Sequence, residues 1–328
     1  MIASERTREM KPRIDLKPGE VAGSQLDRLL VLAAGHEPMR TAIVHPCDAV
    51  SLAGALEAAR KGLITPILVG PAAKIAAAAA AAGEDLAGIC VIDAEHSHAA
   101  AEKACRMARE GDVAALMKGS LHTDELLAAA VDDAAGVRTD RRMSHVFVLD
   151  VPTYPRPLFL SDAAINIAPD LAAKRDIVQN AIDCAHALGV AEPRVAILAA
   201  VETIQPNMPA TIDAAALSKM ADRGQIVGGL IDGPLGFDNA ISEEAARTKH
   251  IVSAVAGCAD VLIAPDIEAG NMMAKQLAYL ANAQSAGLVM GARVPIMLTS
   301  RADGRLSRLA SCAAALLVAR HERTKPLR

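Results

Sequence analysis

Residues 41–70 read TAIVHPCDAVSLAGALEAARKGLITPILVG, with a short apolar run on either side of an alanine-rich segment. The runs at 42–44 and 67–69 are typical of buried strands, and the segment 49–60 has the composition of a helix. A strand, a helix and a second strand in this order form a βαβ unit, whose two strands are parallel. We therefore expect an α/β fold built around a largely parallel sheet.

The alternation of short apolar runs and alanine-rich segments continues along the chain. Beyond the first unit it predicts strands at 90–92, 114–117, 146–151, 158–160, 195–198, 226–231, 261–264, 288–290 and 294–298. The prolines of Pro152-Thr-Tyr-Pro155-Arg-Pro157 cannot continue a central strand, so this segment suits a crossover. We place a boundary between two α/β lobes near residue 151.

Composition excludes several classes of protein. The 34 Lys and Arg residues against 38 Asp and Glu residues argue against a nucleic-acid surface. The apolar 52% of residues is interrupted by charges, and no stretch approaches the roughly 20 apolar residues that cross a bilayer. Residues 1–10 are charged where a signal peptide needs an apolar core, so we expect a cytoplasmic protein.

The cysteines and histidines of the chain are not spaced like the ligands of a metal site. The six cysteines contain no CxxC pair, and we expect reduced thiols that pack as small apolar groups. His96 and His98 form a short His-x-His, but no Cys or carboxylate at ligand spacing completes a set. We predict no metal site.

The first candidate site segment is Lys118-Gly-Ser-Leu-His122-Thr123, between a predicted strand and a predicted helix. A lysine, hydroxyls and free backbone N–H groups at a helix N-terminus suit an anion. Thr123 could instead only cap the helix. We assign Lys118, His122 and Thr123 as candidate substrate-binding residues.

A second candidate segment is basic and runs from Arg138 to His145. Its arginines precede a predicted strand, where they could neutralise the phosphates of a nucleotide. A charged run is also often just a solvated face. Arg138 and Ser144 are the candidates that we retain from it.

Three further polar segments, at 232–239, 265–272 and 299–304, follow predicted strands. In open α/β sheets ligands bind beyond the carboxyl ends of strands. Each segment also has a purely local explanation, as a turn, a helix cap or an ST-turn. The candidates from these segments are Asp238, Asp266, Gly270, Asn271, Ser300, Arg301 and Asp303.

The motifs at 232–240 (DGPLGFDNA), 265–271 (PDIEAGN) and 299–301 (TSR), with 117–119 and 161–166, resemble those of the phosphate acetyl/butyryltransferases. The chain is also similar to the acyltransferase part of enoyl-CoA hydratase/phosphate acetyltransferase-type proteins. The likeness extends over roughly residues 40–320.

This resemblance implies a two-lobed fold similar to the isocitrate/isopropylmalate dehydrogenases, with a central cleft and usually a homodimer. Because the last helix of that fold returns to the first lobe, we expect one lobe from residues 1–150 plus 301–328. The second lobe takes residues 151–300.

The resemblance also implies transfer of a short acyl group between coenzyme A and inorganic phosphate, with no tightly bound cofactor. Ser300 and Arg301 match the catalytic Ser-Arg pair of the acetyl branch. The base of that branch has no counterpart at its aligned position, which leaves Asp303 or Asp238 as substitutes. Two arginines of that branch are replaced at about Ala128 and Tyr279, which favours a butyryl-like acyl group.

Two alternatives from other classes share this fold. One is a dehydrogenase that requires NAD and a divalent metal, although the chain lacks a GxGxxG fingerprint and the fold can bind NAD without it. The other is a non-catalytic module that senses acyl-CoA. The Ser300-Arg301 pair favours an active enzyme over the sensor.

Overall fold

The structure is a computed structural model that describes residues 24–134, 136–298 and 303–324. Within these ranges the chain forms one large sheet with helices on its faces. Its strands are β1 (Met39–Val44), β2 (Ile64–Gly70), β3 (Cys90–Asp93), β4 (Ala115–Lys118), β5 (Ser144–Asp150), β6 (Leu158–Ser161), β7 (Arg194–Leu198), β8 (Leu230–Leu235), β9 (Val261–Ile263), β10 (Gln284–Met290) and β11 (Ile296–Met297).

The helices begin near residue 24 and alternate with the strands, as expected for βαβ units. They are α1 (Ser24–Ala33), α2 (Ala49–Arg60), α3 (Ala72–Ala82), α4 (Ser97–Glu110), α5 (Thr123–Val131), α6 (Leu171–Ala187), α7 (Pro209–Asp222), α8 (Phe237–Ile241), α9 (Glu243–Thr248), α10 (Ile267–Leu280) and α11 (Arg305–Thr324). None of the helices in the described ranges is long and apolar enough to cross a membrane.

The strand order across the sheet is β3-β2-β1-β4-β11-β10-β5-β6-β9-β7-β8. The strands from β3 to β11 pair in parallel, and so do those from β6 to β8. In the middle, β10 pairs antiparallel with both β11 and β5, and β5 pairs antiparallel with β6. The two parallel groups therefore run in opposite directions. The sequence predicted a largely parallel sheet but not this reversal between two parallel groups.

The two faces of the sheet are covered differently. On one face a single core cluster extends through both parallel groups, from Ile43 of β1 to Val195 of β7, and includes buried residues of α11. On the other face the core is divided into two clusters, one around Leu116 of β4 and one around Leu262 of β9. Between these two clusters the middle of this face is not covered by core residues, and a cleft lies there.

The predicted strands all have counterparts, but one is displaced. We expected a strand at 226–231 with Asp232 in the turn behind it, whereas β8 runs from Leu230 to Leu235 and contains Asp232. Pro234 is compatible with this strand because β8 lies at the edge of the sheet, where a missing backbone N–H costs no ladder bond. Asp232 therefore lies within a strand and not in the turn that follows it.

The cysteines largely match expectation, since all six are free thiols. Cys105, Cys184 and Cys312 are buried, and burial raises the pKa of each thiol to about 12. Cys90 differs from the expectation because it is exposed. Among the described residues, no group of three or more His, Cys, Asp or Glu side chains is arranged to hold a metal ion.

Candidate active site

A cleft of about 660 Å³ lies over the antiparallel middle of the sheet. It is bounded by the start of α5, by α10 and by the residues on either side of 299–302. The described residues that line it are Thr123, Asp124, His145, Phe147, Ala164, Ile267, Glu268, Asn271, Met272, Ser285, Gly287, Leu298, Asp303 and Ser311.

The floor of the cleft is one face of the strand pair β5–β10. His145 and Phe147 are two residues apart on β5, so their side chains are on the same face. Phe147 lies directly opposite Gly287 of β10. The absence of a side chain at Gly287 leaves room for His145, since a Cβ there would lie only 2.7 Å from His145 Nε2.

The imidazole of His145 is packed tightly within this floor. Its ring meets the ring of Phe147 edge-on at a centroid distance of 4.3 Å, and the residue is 3% exposed. Burial lowers the pKa of His145 to about 4, although the nearby carboxylate of Asp162 acts in the opposite direction. The ring is therefore neutral at neutral pH.

The wall formed by α10 depends on a close approach to the segment after β6. Asp266 is the N-cap of α10 and accepts a hydrogen bond from Ala269 N at 2.9 Å. A Cβ at Gly270 would overlap Asp162 O, and Asn271 Nδ2 donates to Ala163 O at 3.0 Å. The glycine thus permits a close contact between α10 and the chain's own backbone.

The segment that α10 contacts is held by the buried carboxylate of Asp162. Its Oδ1 accepts hydrogen bonds from Ala164 N and Ile165 N, at 3.0 and 3.2 Å. Its Oδ2 accepts from Asn166 N at 3.0 Å and from Asn166 Nδ2 at 2.6 Å. This fixed turn places Ala164 in the cleft lining.

The segment Lys118–Thr123 reaches the cleft only at its end. Gly119 N and Ser120 N donate to Val44 O and His45 O, both at 2.9 Å, so these N–H groups do not serve an anion as we expected. His122 is the exposed N-cap residue of α5 and makes no capping bond with its side chain. Thr123 is the first residue of the helix, and it lines the cleft.

Ser300 and Arg301, the predicted catalytic pair, lie outside the described residues. The described residues on either side of them, Leu298 and Asp303, both line the cleft. Lys118 ends β4, where its Nζ lies 3.4 Å from Gly119 O, and it is not among the described lining residues.

Three other predicted site residues lie elsewhere. Asp238, in α8, is largely exposed and lies 3.8 Å from Lys249 Nζ. Arg138 pairs with Asp133 on the surface. Ser144 is fully buried and its Oγ accepts a hydrogen bond from Asn180 Nδ2 at 2.9 Å. None of the three is among the described residues that line the cleft.

The residues that sequence reasoning missed are those of the floor: His145, Phe147, Ser285 and Gly287. A search for polar residues after strands cannot find them because they lie within β5 and β10. The one available indication was a histidine and a phenylalanine two positions apart in the strand sequence SHVFVLD.

The cleft has two chemical characters. One part of the lining is apolar and consists of Phe147, Leu298 and Ile267. The polar part has a hydroxyl, an amide and a carboxylate, from Thr123, Asn271 and Asp303. Such a site suits a small ligand that has both a short alkyl part and polar groups. The fold and the site together define a mixed α/β protein with a cleft for a small amphipathic ligand.

Comparison with known proteins identifies the family. The sequence profile described as "Phosphate acetyl/butaryl transferase" matches residues 99–315. A phosphate acetyltransferase of Rhizobium meliloti is 60% identical over 92% of this chain and 95% of its own length. A phosphate butyryltransferase of Clostridium acetobutylicum is 39% identical over 89% of this chain and 97% of its own.

A solved structure agrees with this similarity. The branched-chain phosphotransacylase of Enterococcus faecalis V583 is 26% identical and superposes with a TM-score of 0.74, over 86% of this chain and 99% of that one. The chain belongs to the phosphate acetyl/butyryltransferase family.

Proposed function

We propose that this protein is an acyltransferase that moves a short acyl group, acetyl to butyryl, between coenzyme A and inorganic phosphate. The observation that carries this proposal is 60% identity over nearly the whole length of a phosphate acetyltransferase. The chain is also 39% identical to a phosphate butyryltransferase, so the proposed range of acyl groups extends to butyryl. The relatives favour neither the dehydrogenase nor the non-catalytic sensor.

The reaction is a direct exchange at one carbonyl carbon. An oxygen of hydrogen phosphate attacks the thioester carbonyl, the C–S bond breaks, and the proton lost by phosphate leaves with the sulfur as the coenzyme A thiol. The products are acyl phosphate and coenzyme A, and no tightly bound cofactor takes part. The main requirement is stabilisation of the negative charge that develops on the carbonyl oxygen.

In this proposal Arg301, with Lys118, binds phosphate, and Ser300 with backbone N–H groups stabilises the carbonyl oxygen. A guanidinium matches two phosphate oxygens with parallel hydrogen bonds. The position of Leu298 and Asp303 in the cleft lining supports action of the Ser-Arg pair there. The same observation favours Asp303 over Asp238 as the base that removes the thiol proton in the reverse direction.

We further propose that residues 1–150 with 301–328 form one lobe and residues 151–300 the other, as in the isocitrate/isopropylmalate dehydrogenase-like fold. The division of the core on the cleft face into two clusters supports this arrangement. The helix α11 packs against α1 and α2 of the first lobe, but also against β10 and α6 of the second. In this arrangement α11 would link the two lobes.

A homodimer in the cytoplasm completes the proposal. Coenzyme A and acyl phosphates are intracellular metabolites, and a homodimer is what the family resemblance implies. Light scattering on the purified protein would give a mass near twice 34.0 kDa if the dimer forms.

The activity is tested by mixing coenzyme A with acetyl, propionyl or butyryl phosphate and following the thioester by its absorbance. We expect formation of at least one acyl-CoA that depends on both substrates. A parallel assay with NAD, Mg²⁺ and a hydroxyacid tests the dehydrogenase. Tight binding of acyl-CoA without turnover of any acyl phosphate would identify the sensor and refute the proposal.

A further inference from the structure

The imidazole of His145 is a buried polar group that the fold does not use. His145 lines the cleft and is 3% exposed, and its Nδ1 is buried without a hydrogen-bond partner in the described part of the chain. Within the described part of the chain, two hydrogen bonds to side chains involve the backbone of His145: its N donates to Asp162 Oδ1 and its O accepts from Ser161 Oγ. Buried polar groups are normally paired, so an unpaired Nδ1 on a residue that lines a cleft points to a bound partner.

The ring is also held in one orientation. Phe147 packs against it edge-on, and its Nε2–Cε1 edge lies beside the vacant Cβ position of Gly287, at 2.7 and 2.9 Å. Gly287 itself lines the cleft. A group fixed by packing in this way loses little conformational freedom when a ligand binds.

The described groups nearest to the ring are acidic or apolar. The described lining includes the carboxyl groups of Asp124, Glu268 and Asp303 and no lysine or arginine. Phe147 and Leu298 make part of the lining apolar, which suits an alkyl chain. Because burial lowers the pKa of His145, the ring is neutral, and a neutral imidazole carries one N–H that can donate a hydrogen bond to a ligand.

We infer that His145 donates a hydrogen bond to the carbonyl oxygen of the acyl group, and so binds the reacting end of the substrate. This inference rests on the proposed acyl transfer and adds to it a contact that the sequence motifs do not assign. The same hydrogen bond would strengthen as charge develops on that oxygen.

The test compares two ligands that differ only in the carbonyl group: butyryl-CoA and its thioether analogue S-butyl-CoA. Dissociation constants are measured by calorimetry in phosphate-free buffer, where no transfer can occur. His145→Phe keeps a ring between Phe147 and Gly287 but lacks the N–H. We expect it to weaken butyryl-CoA binding roughly tenfold, the usual effect of one hydrogen bond, and to change S-butyl-CoA binding less than twofold.

Phe147→Leu is the matched control, since it alters packing on the same face without removing a polar group. It should change the affinity for both ligands by a similar factor. His145→Gln, which keeps an N–H donor, should recover part of the preference for the carbonyl ligand. If His145→Phe does not fold, His145→Leu takes its place, because leucine also lacks an N–H donor.

An equal change for the two ligands in His145→Phe, or no change for either, would overturn the inference while leaving the acyl transfer intact. Failure of the proposed function is a separate result: the wild-type protein would then form no acyl-CoA from any acyl phosphate.

Discussion

Gly270→Ala tests whether the close contact between α10 and the segment after β6 builds the cleft wall. A Cβ at position 270 would come closer than 3.0 Å to Asp162 O, a separation that real Cβ atoms essentially never show. It would also lie 3.1 Å from Ala163 Cα and 3.1 Å from Ala264 Cβ. Because Asp162 is held by its hydrogen bonds, α10 has to move instead.

The expected magnitude combines two opposing effects. Inserting a methyl group into a tight contact costs about 1–3 kcal/mol. Alanine favours a helix over glycine by about 1 kcal/mol, which offsets part of that cost. The net destabilisation relative to the wild type is therefore between about 0 and 2 kcal/mol, which lowers Tm by at most about 5 °C. The shift of α10 also weakens the bond from Asn271 Nδ2 to Ala163 O, so kcat/KM for acyl phosphate should fall several-fold.

The assay measures Tm and the kinetics of acyl transfer for the same preparation. Gly54→Ala is the matched control for stability, because Gly54 also lies within a helix but the three atoms nearest to its added Cβ all belong to the Arg308 side chain. Side-chain atoms can rotate away, so this control should keep the Tm of the wild-type protein or exceed it. A Gly270→Ala variant that matches the control in Tm and the wild type in kcat/KM would refute the reasoning.

Asp162→Asn should destabilise the protein by about 3 kcal/mol, because two charge-assisted hydrogen bonds from Asn166 are lost or reversed; an unchanged Tm would contradict this. Arg301→Lys should lower kcat/KM for phosphate roughly a hundredfold despite keeping the charge, because the bidentate contact is lost. If Tm falls instead and the kinetics stay normal, Arg301 has a structural role. Exhaustive dialysis against EDTA should leave the rate unchanged, since charge neutralisation by Arg, Lys and N–H groups suffices; loss of activity that added Mg²⁺ or Zn²⁺ restores would show the opposite.

Local sequence pattern was sufficient for most elements of the fold. Strands such as β1 and β9 were predictable because a short run of buried aliphatic residues between charged segments has few other stable conformations. β8 was misplaced because Gly233 and Pro234 have the composition of a turn. Their tolerance in a strand depends on β8 being at the sheet edge, which is a property of strand order and not of the local sequence.

The candidate site was only partly predictable for a similar reason. Thr123, Asn271 and Asp303 were found by the rule that ligands bind beyond strand ends, and all three line the cleft. The same rule selected Asp238, which lies near Lys249 instead. It could not select His145 or Gly287, because it searches beyond strands and not within them.

The sequence by itself determined that this is an α/β protein with polar segments after its strands, and its motifs carried the family resemblance. Only the tertiary structure decided that β5 and β10 run antiparallel in the middle of the sheet and leave one face open between two core clusters. The physical reason is that helix and strand formation depend on neighbouring residues, whereas β5 and β10 are paired across more than a hundred residues of chain. Pairing over that distance is set by the packing of the whole core, so the position of His145 in the cleft floor emerges only when the sheet is assembled.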